Sequence, residues 1–202
     1  MKTEIEVKFC DIDIDAMREI LARAGAVCEQ PMRDMRRHVF YTVDNSPNAY
    51  VRVRAEGDKT TLTYKRFDEI SLHGAKEVET IVGDYQAAID ILRQSGLRLK
   101  SIQETRRETW HLGEVEVVID EWPWLEPFIE IEGPSEVAVR EAATRLSFDW
   151  NDAVFGSATE AYRVSYPRMP RGMVMDDLPE IRFDLPLPEK LKSIDESNGA
   201  KE

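Results

Sequence analysis

Three pairs of glutamates, each separated by a single residue, stand out in this chain: Glu4/Glu6, Glu77/Glu79 and Glu130/Glu132. Apolar residues flank them in alternation, and basic residues occupy the same kind of setting at Lys8, Arg52, Arg54, Lys65 and Arg107. Alternate side chains of a β-strand point to opposite faces, so each same-sign pair shares one face. In Glu4-Ile5-Glu6-Val7-Lys8, this puts Glu4, Glu6 and Lys8 on one side and Ile5, Val7 and Phe9 on the other. Neighbouring carboxylates repel unless a cation lies between them, and a hard divalent ion such as Mg²⁺ or Mn²⁺ suits carboxylate oxygens. Arginine and lysine grip phosphate oxygens. If the strands close on themselves, one charged face lines the interior, where it needs water, a polyanion and cations as partners. The same alternation describes a solvated sheet with ordinary cross-strand ion pairs, and spacing alone leaves both readings open.

The elements that must position these residues follow from periodicity. Helices are expected over Asp13–Ala24, Asp84–Ser95 and Ser135–Leu146, with Gly25 and Gly96 as stops and Ser135 as an N-cap. Strands are expected over Arg37–Val43, Ala49–Ala55, Thr60–Arg66, Lys76–Val82, Leu97–His111 with a break, Glu114–Glu121 and Pro127–Gly133. Asp44–Asn48 and Glu56–Lys59 read as turns, and Asn151–Ser165 as shorter helical pieces. In the second strand, Tyr50, Arg52 and Arg54 face away from Val51 and Val53. The sum is an α+β protein with about eight antiparallel strands, better closed as a barrel than left as an open sheet.

Composition bounds the function. The 202 residues include 42% hydrophobic residues, enough for a real core, and the net charge of −12 argues against general nucleic-acid binding. No apolar run is long enough to span a bilayer, and the N-terminus is no signal peptide, so a cytoplasmic location is expected. Cys10 and Cys28 are spaced for neither a CxxC site nor a disulfide framework and are expected to be reduced packing residues. His38, His73 and His111 are scattered, and the four tryptophans suit core or rim positions better than base stacking. Half of the ten prolines lie at or after Pro167. The expected organisation is therefore a domain over residues 1–166 and a Pro-rich, charged tail over 167–202. In that tail Phe183, Leu185 and Leu187 alternate, and Ser193–Glu202 is expected to be disordered.

Glu4-Ile5-Glu6-Val7-Lys8 resembles the ExExK signature of the CYTH family, the triphosphate tunnel enzymes. The resemblance continues in order through Val51-Arg52-Val53-Arg54, Leu62-Thr63-Tyr64-Lys65, Glu77-Val78-Glu79, Arg106–Trp110, Val117–Asp120 and Phe128–Glu132. It implies an eight-stranded antiparallel barrel, the triphosphate tunnel, with flanking helices. It implies phosphate binding by Lys8, Arg52, Arg54, Lys65 and Arg107. It also implies a metal, Mg²⁺ or Mn²⁺, faced by Glu4, Glu6, Asp120, Glu130 and Glu132, with Glu77 and Glu79 in the acidic set without an assigned role. Catalysis would fall to Lys8, Glu4 and Glu6. Arg107, three residues before Trp110, is preferred to Arg106, which alternation turns outward.

Two departures stand out. No glycine precedes the last acidic strand in Trp124-Leu125-Glu126-Pro127-Phe128, and Phe40 stands where some family members have a water-activating tyrosine, with Tyr41 beside it. Lys8 could deprotonate water only if neighbouring cations lowered its pKa. The implied ligand is a small-molecule triphosphate or nucleotide, with no membrane partner, and a homodimer is compatible with the chain. Hydrolysis of an inorganic or small organic triphosphate requires the fewest added features. A class IV-type adenylyl cyclase and a non-catalytic polyphosphate- or nucleotide-binding module would use the same tunnel.

Overall fold

The computed structural model describes residues 1–192; the expected disorder of Ser193–Glu202 falls outside the described residues. One sheet runs through the molecule. Its strands are β1 (Lys2–Thr3), β2 (Glu6–Phe9), β3 (Val27–Tyr41), β4 (Ala49–Glu56), β5 (Lys59–Phe67), β6 (Ala75–Ile81), β7 (Leu99–Leu112), β8 (Val115–Glu121), β9 (Phe128–Glu132) and β10 (Glu180–Ile181). The hydrogen-bonded order is β1-β6-β5-β4-β3-β7-β8-β9-β2, antiparallel throughout, with β10 added parallel to β7. The two ends of that order, β1 and β2, are halves of one N-terminal segment. Lys2 pairs with Glu77 on one side and Glu6 with Glu132 on the other, so this segment closes the sheet into a ring of eight strands. Closure leaves no free edge along the ring.

Helices lie outside the ring: α1 (Ile14–Arg23), α2 (Tyr85–Gln94), α3 (Glu136–Arg145) and α4 (Ala158–Ser165). Asp13, Asp84 and Ser135 cap the first three, each accepting from a backbone N–H in the first turn. Gly25 and Gly96 follow α1 and α2 at positive φ, where an L side chain is disfavoured. The apolar strand faces turn outward onto these helices. Val7, Phe9, Val117, Ile119, Ile129 and Ile131 pack with residues of α1 and α3, while Phe40 and Val53 pack under α2. Most small barrels fill their interior with apolar residues. Here the core is outside the ring, and the charged faces are left to line it.

Two elements differ from the sequence expectation. Strand β3 begins ten residues before Arg37, because Val27–Asp34 pairs with β7 alone through a stretch of register shifts that accommodates Pro31. Strand β7 is unbroken. The segment after Pro167 has little regular structure but places Met169, Met173, Met175, Leu178, Ile181 and Leu191 in a further cluster with Trp122, Phe128 and Tyr162. The parallel pairing of β10 to β7 and a hydrogen bond from Ser101 Oγ to the Leu178 carbonyl (2.7 Å) anchor it. Cys10 packs against this cluster; Cys28 is exposed on β3 and is not the packing residue expected. No helix among the described residues is long and apolar enough to cross a membrane.

Candidate active site

The ring encloses a cavity of about 750 Å³, and every candidate residue from the sequence lines it: Glu4, Glu6, Lys8, Arg52, Arg54 and Lys65, together with Glu77, Glu79, Arg107, Asp120, Glu130 and Glu132. Alternation in β2 explains the first three. Glu4, Glu6 and Lys8 are 5%, 4% and 3% exposed, buried toward the cavity, while Val7 and Phe9 are buried toward the helices. Both faces of this segment are therefore covered, one by core and one by charge. The solvated-strand reading does not describe it.

The cavity wall interleaves the two signs, with a carboxylate cluster on one side and arginines on the other. On one side, Glu4, Glu6 and Glu132 each bring a carboxylate oxygen within 4.8 Å of the others. Lys65 Nζ lies 2.5 Å from Glu4 and 3.5 Å from Glu6, and Lys8 Nζ lies 3.1 Å from Glu6 and 3.0 Å from Glu130. Opposite stand Arg52, Arg54 and Arg107. Arg107 holds Asp120 through two bonds of 2.6 Å, a fork-to-carboxylate pair. Arg52 reaches Glu79 at 3.5 Å and Arg54 reaches Glu56 at 3.1 Å. Of the five carboxylates implied as metal-facing, the structure gathers three. Asp120 and Glu130 pair with Arg107 and Lys8, as Glu4 pairs with Lys65 and Glu6 with Lys8, and lie outside that group of three.

Titration behaviour follows from these neighbours. Burial lowers the Lys8 pKa, but Glu130 and Glu6 outweigh it and hold the ammonium protonated above its ordinary range. The condition for Lys8 to act as a base, a lowered pKa, is thus not met; Lys65 pushes in that direction and is overcome. Burial raises Glu130, yet Lys8 and Arg107 pull it far below the carboxylate range. Burial and then the charge of Glu4 raise Glu77 to about 7, and burial chiefly raises Glu132 despite its ion pair with Lys2. Glu4, Glu6 and Glu132, with oxygens all within 4.8 Å of one another, are an all-oxygen donor set that fits Mg²⁺ or Mn²⁺.

Glu77 gives a stability prediction. The folded protein keeps its proton up to about pH 7, whereas the unfolded chain releases it near 4.5, so Glu77 costs stability as pH rises through that window. In metal-free buffer, Glu77→Gln is expected to match wild type near pH 4 and to be more stable at pH 8. The gain is about 1–2 kcal/mol, reduced because the group is only half-buried. Chemical denaturation at the two pH values measures it; equal differences at both would contradict this assignment.

Other readings resolve as follows. Arg106 points outward to Asp34 and stacks on Phe183, as alternation requires. Phe40 is fully buried under α2 and contributes nothing to the cavity; Tyr41 lies beneath Arg98 and Lys100. His38 bonds Tyr85 outside the ring, and burial lowers its pKa to about 4. Trp122 lines the cavity. Sequence reasoning missed Arg37, Glu56 and Lys100, and also Asp176 of the tail, which accepts from Gln103 at 2.7 Å. Asp176 had no local signal.

A model of the CYTH domain family matches residues 2–158. No curated protein matches the chain. Among solved structures, a Pyrococcus horikoshii protein is 22% identical with a TM-score of 0.64, covering 74% of this chain and 93% of its own. A candidate adenylate cyclase from Vibrio parahaemolyticus is 14% identical with a TM-score of 0.67, covering 79% and 97%. A candidate adenylyl cyclase from Hippeastrum, described as having a dominant triphosphatase activity, is 14% identical with a TM-score of 0.56, covering 84% and 98%. At these identities the likeness extends to the fold.

Proposed function

The chain belongs to the CYTH domain family, and from that premise we propose that it is a metal-dependent triphosphatase acting on a triphosphate held inside the tunnel. One observation carries the reading: a closed ring whose interior is lined by buried arginines, lysines and carboxylates, three of the carboxylates grouped closely enough to share one ion. Such an interior is costly unless a ligand brings charge of both signs, and a metal-bound phosphate chain does so.

Arg52, Arg54, Lys65 and Arg107 grip the phosphate oxygens. Glu4, Glu6 and Glu132 would hold Mg²⁺ or Mn²⁺, which when bound neutralises phosphate charge and orients the chain. Glu130 and Asp120 act at one remove, fixing Lys8 and Arg107. Lys8, kept protonated by Glu130 and Glu6, positions the attacking water and offsets charge at the terminal phosphoryl group. Water's oxygen bonds to the terminal phosphorus, the bridging P–O bond breaks, and orthophosphate and a diphosphate leave.

The Hippeastrum protein's triphosphatase activity accords with this reading, although the wall chemistry carries it. The test is phosphate release from inorganic triphosphate, ATP and thiamine triphosphate, each with Mg²⁺, Mn²⁺ or EDTA. Turnover of at least one, lost in EDTA, is expected. Turnover unaffected by EDTA would contradict metal dependence, and binding without turnover would favour a binding module.

A further inference from the structure

Arg37 is a charged group of the tunnel that the proposed mechanism does not use, and it lies outside the motifs that carry the family resemblance. It is 5% exposed, lines the cavity from β3, and has no carboxylate within 4.0 Å among the described residues. Its neighbours are cations: on β4 it is directly opposite Arg54, and Arg52 and Arg107 add their charge. Burial first, then these three arginines, lower its pKa to about 9. Asp120 acts against this but is already held by the fork of Arg107.

Its polar atoms are partly unused. One terminal nitrogen donates to Thr105 Oγ1 at 2.6 Å, while Nε has no partner. The guanidinium lies 4.8 Å from the centre of the Trp122 ring, and Trp122 Nε1, buried beside the same cavity, also has no partner. Two neighbouring residues thus each carry an unsatisfied buried N–H, and one of them carries an uncompensated positive charge. Buried donors without acceptors are costly, and native proteins leave few of them. A ligand oxygen bearing negative charge, entering from the cavity that Arg37 lines, would supply the guanidinium with the acceptor and the counter-charge it lacks.

We propose that Arg37 and Trp122 form an additional anion subsite of the tunnel, which takes a phosphate group of the substrate. This rests on the triphosphate reading and extends it. Arg37 becomes a binding residue that contributes affinity, with Trp122 as its stacking platform. Without a ligand, the like charge that Arg37 adds beside Arg52, Arg54 and Arg107 offsets what its bond to Thr105 and its contact with Trp122 contribute to the fold.

The test uses the full chain, inorganic triphosphate in EDTA as the probe, and two readouts, calorimetric affinity and melting temperature without ligand. Arg37→Met keeps an unbranched side chain over Trp122 and removes the charge. It is expected to weaken binding about tenfold or more, the worth of a charge-assisted hydrogen bond, while melting at or above the wild-type temperature. Arg37→Lys restores charge without the fork and should recover part of the affinity. Unchanged affinity in Arg37→Met, with wild type binding, would overturn the subsite alone. A lower melting temperature in Arg37→Met would also overturn it, by making Arg37 a structural residue. Failure of wild type to bind triphosphate would instead overturn the reading beneath it.

Discussion

Glu6→Gln is expected to lower metal-dependent turnover by about a hundredfold or more, the scale of losing an anionic group at a metal-assisted site. Of the three grouped carboxylates, Glu6 alone pairs with both Lys8 and Lys65. Its oxygens lie 3.1 Å from Lys8 and 3.5 Å from Lys65, and it is one of the three grouped carboxylates. Glutamine keeps the shape but supplies a neutral oxygen, a weaker ligand for a hard cation. The change also removes one of the two charges holding Lys8 protonated; Glu130 retains the other. Steady-state phosphate release across a Mn²⁺ titration, beside a melting curve, separates lost chemistry from lost fold. A Glu6→Gln protein with normal turnover and normal metal response would return Glu4, Glu6 and Lys8 to a purely structural role.

Removing Arg107 is expected to have the largest effect on stability. Asp120 is 2% exposed and takes both of its close contacts from that guanidinium. A buried ion pair is weak evidence of net stabilisation, but breaking one by deleting a single partner strands the other charge. Arg107→Leu should therefore cost about 3–5 kcal/mol, a fall on the order of 10 °C in melting temperature for a chain of this size. Adding Asp120→Asn removes the stranded charge and should recover most of that loss, while substrate binding stays impaired. Melting of the single and double variants measures both terms. An Arg107→Leu protein as stable as wild type would show that solvent already compensates Asp120. The contrast with Arg37 is informative: two arginines on one wall, one paired and one not, with opposite expected effects on the fold.

The site was more legible in the sequence than the chain around it. A strand with charge on every second residue announces its faces, so spacing alone places Glu4, Glu6 and Lys8 on one side of a strand. The closing role of the N-terminal segment was less visible. Nothing in Lys2–Phe9 indicates that its first part pairs with β6 and its second with β9, because pairing partners are set by topology. Arg37 was obscured by its neighbour Arg36 and by the irregular start of β3, where Pro31 interrupts the alternation that assigns a face. The grouping of Glu132 with Glu4 and Glu6, and the diversion of Glu130 to Lys8, depend on distances that motif order cannot supply. The segment after Pro167 lacks periodicity, yet its methionines fill the space beside Trp122 and Tyr162. Methionine adapts to irregular gaps without leaving a pattern.

In the proposed reaction, water attacks the terminal phosphorus of a triphosphate inside the tunnel. The most direct measurement is ³¹P NMR of the products formed from inorganic triphosphate and from ATP, with Mn²⁺ or Mg²⁺, in ¹⁸O-labelled water. The account predicts diphosphate and orthophosphate from triphosphate, with the label in orthophosphate. Cyclic AMP and unlabelled diphosphate as the dominant products from ATP would contradict it, because the attacking oxygen would then be the ribose hydroxyl.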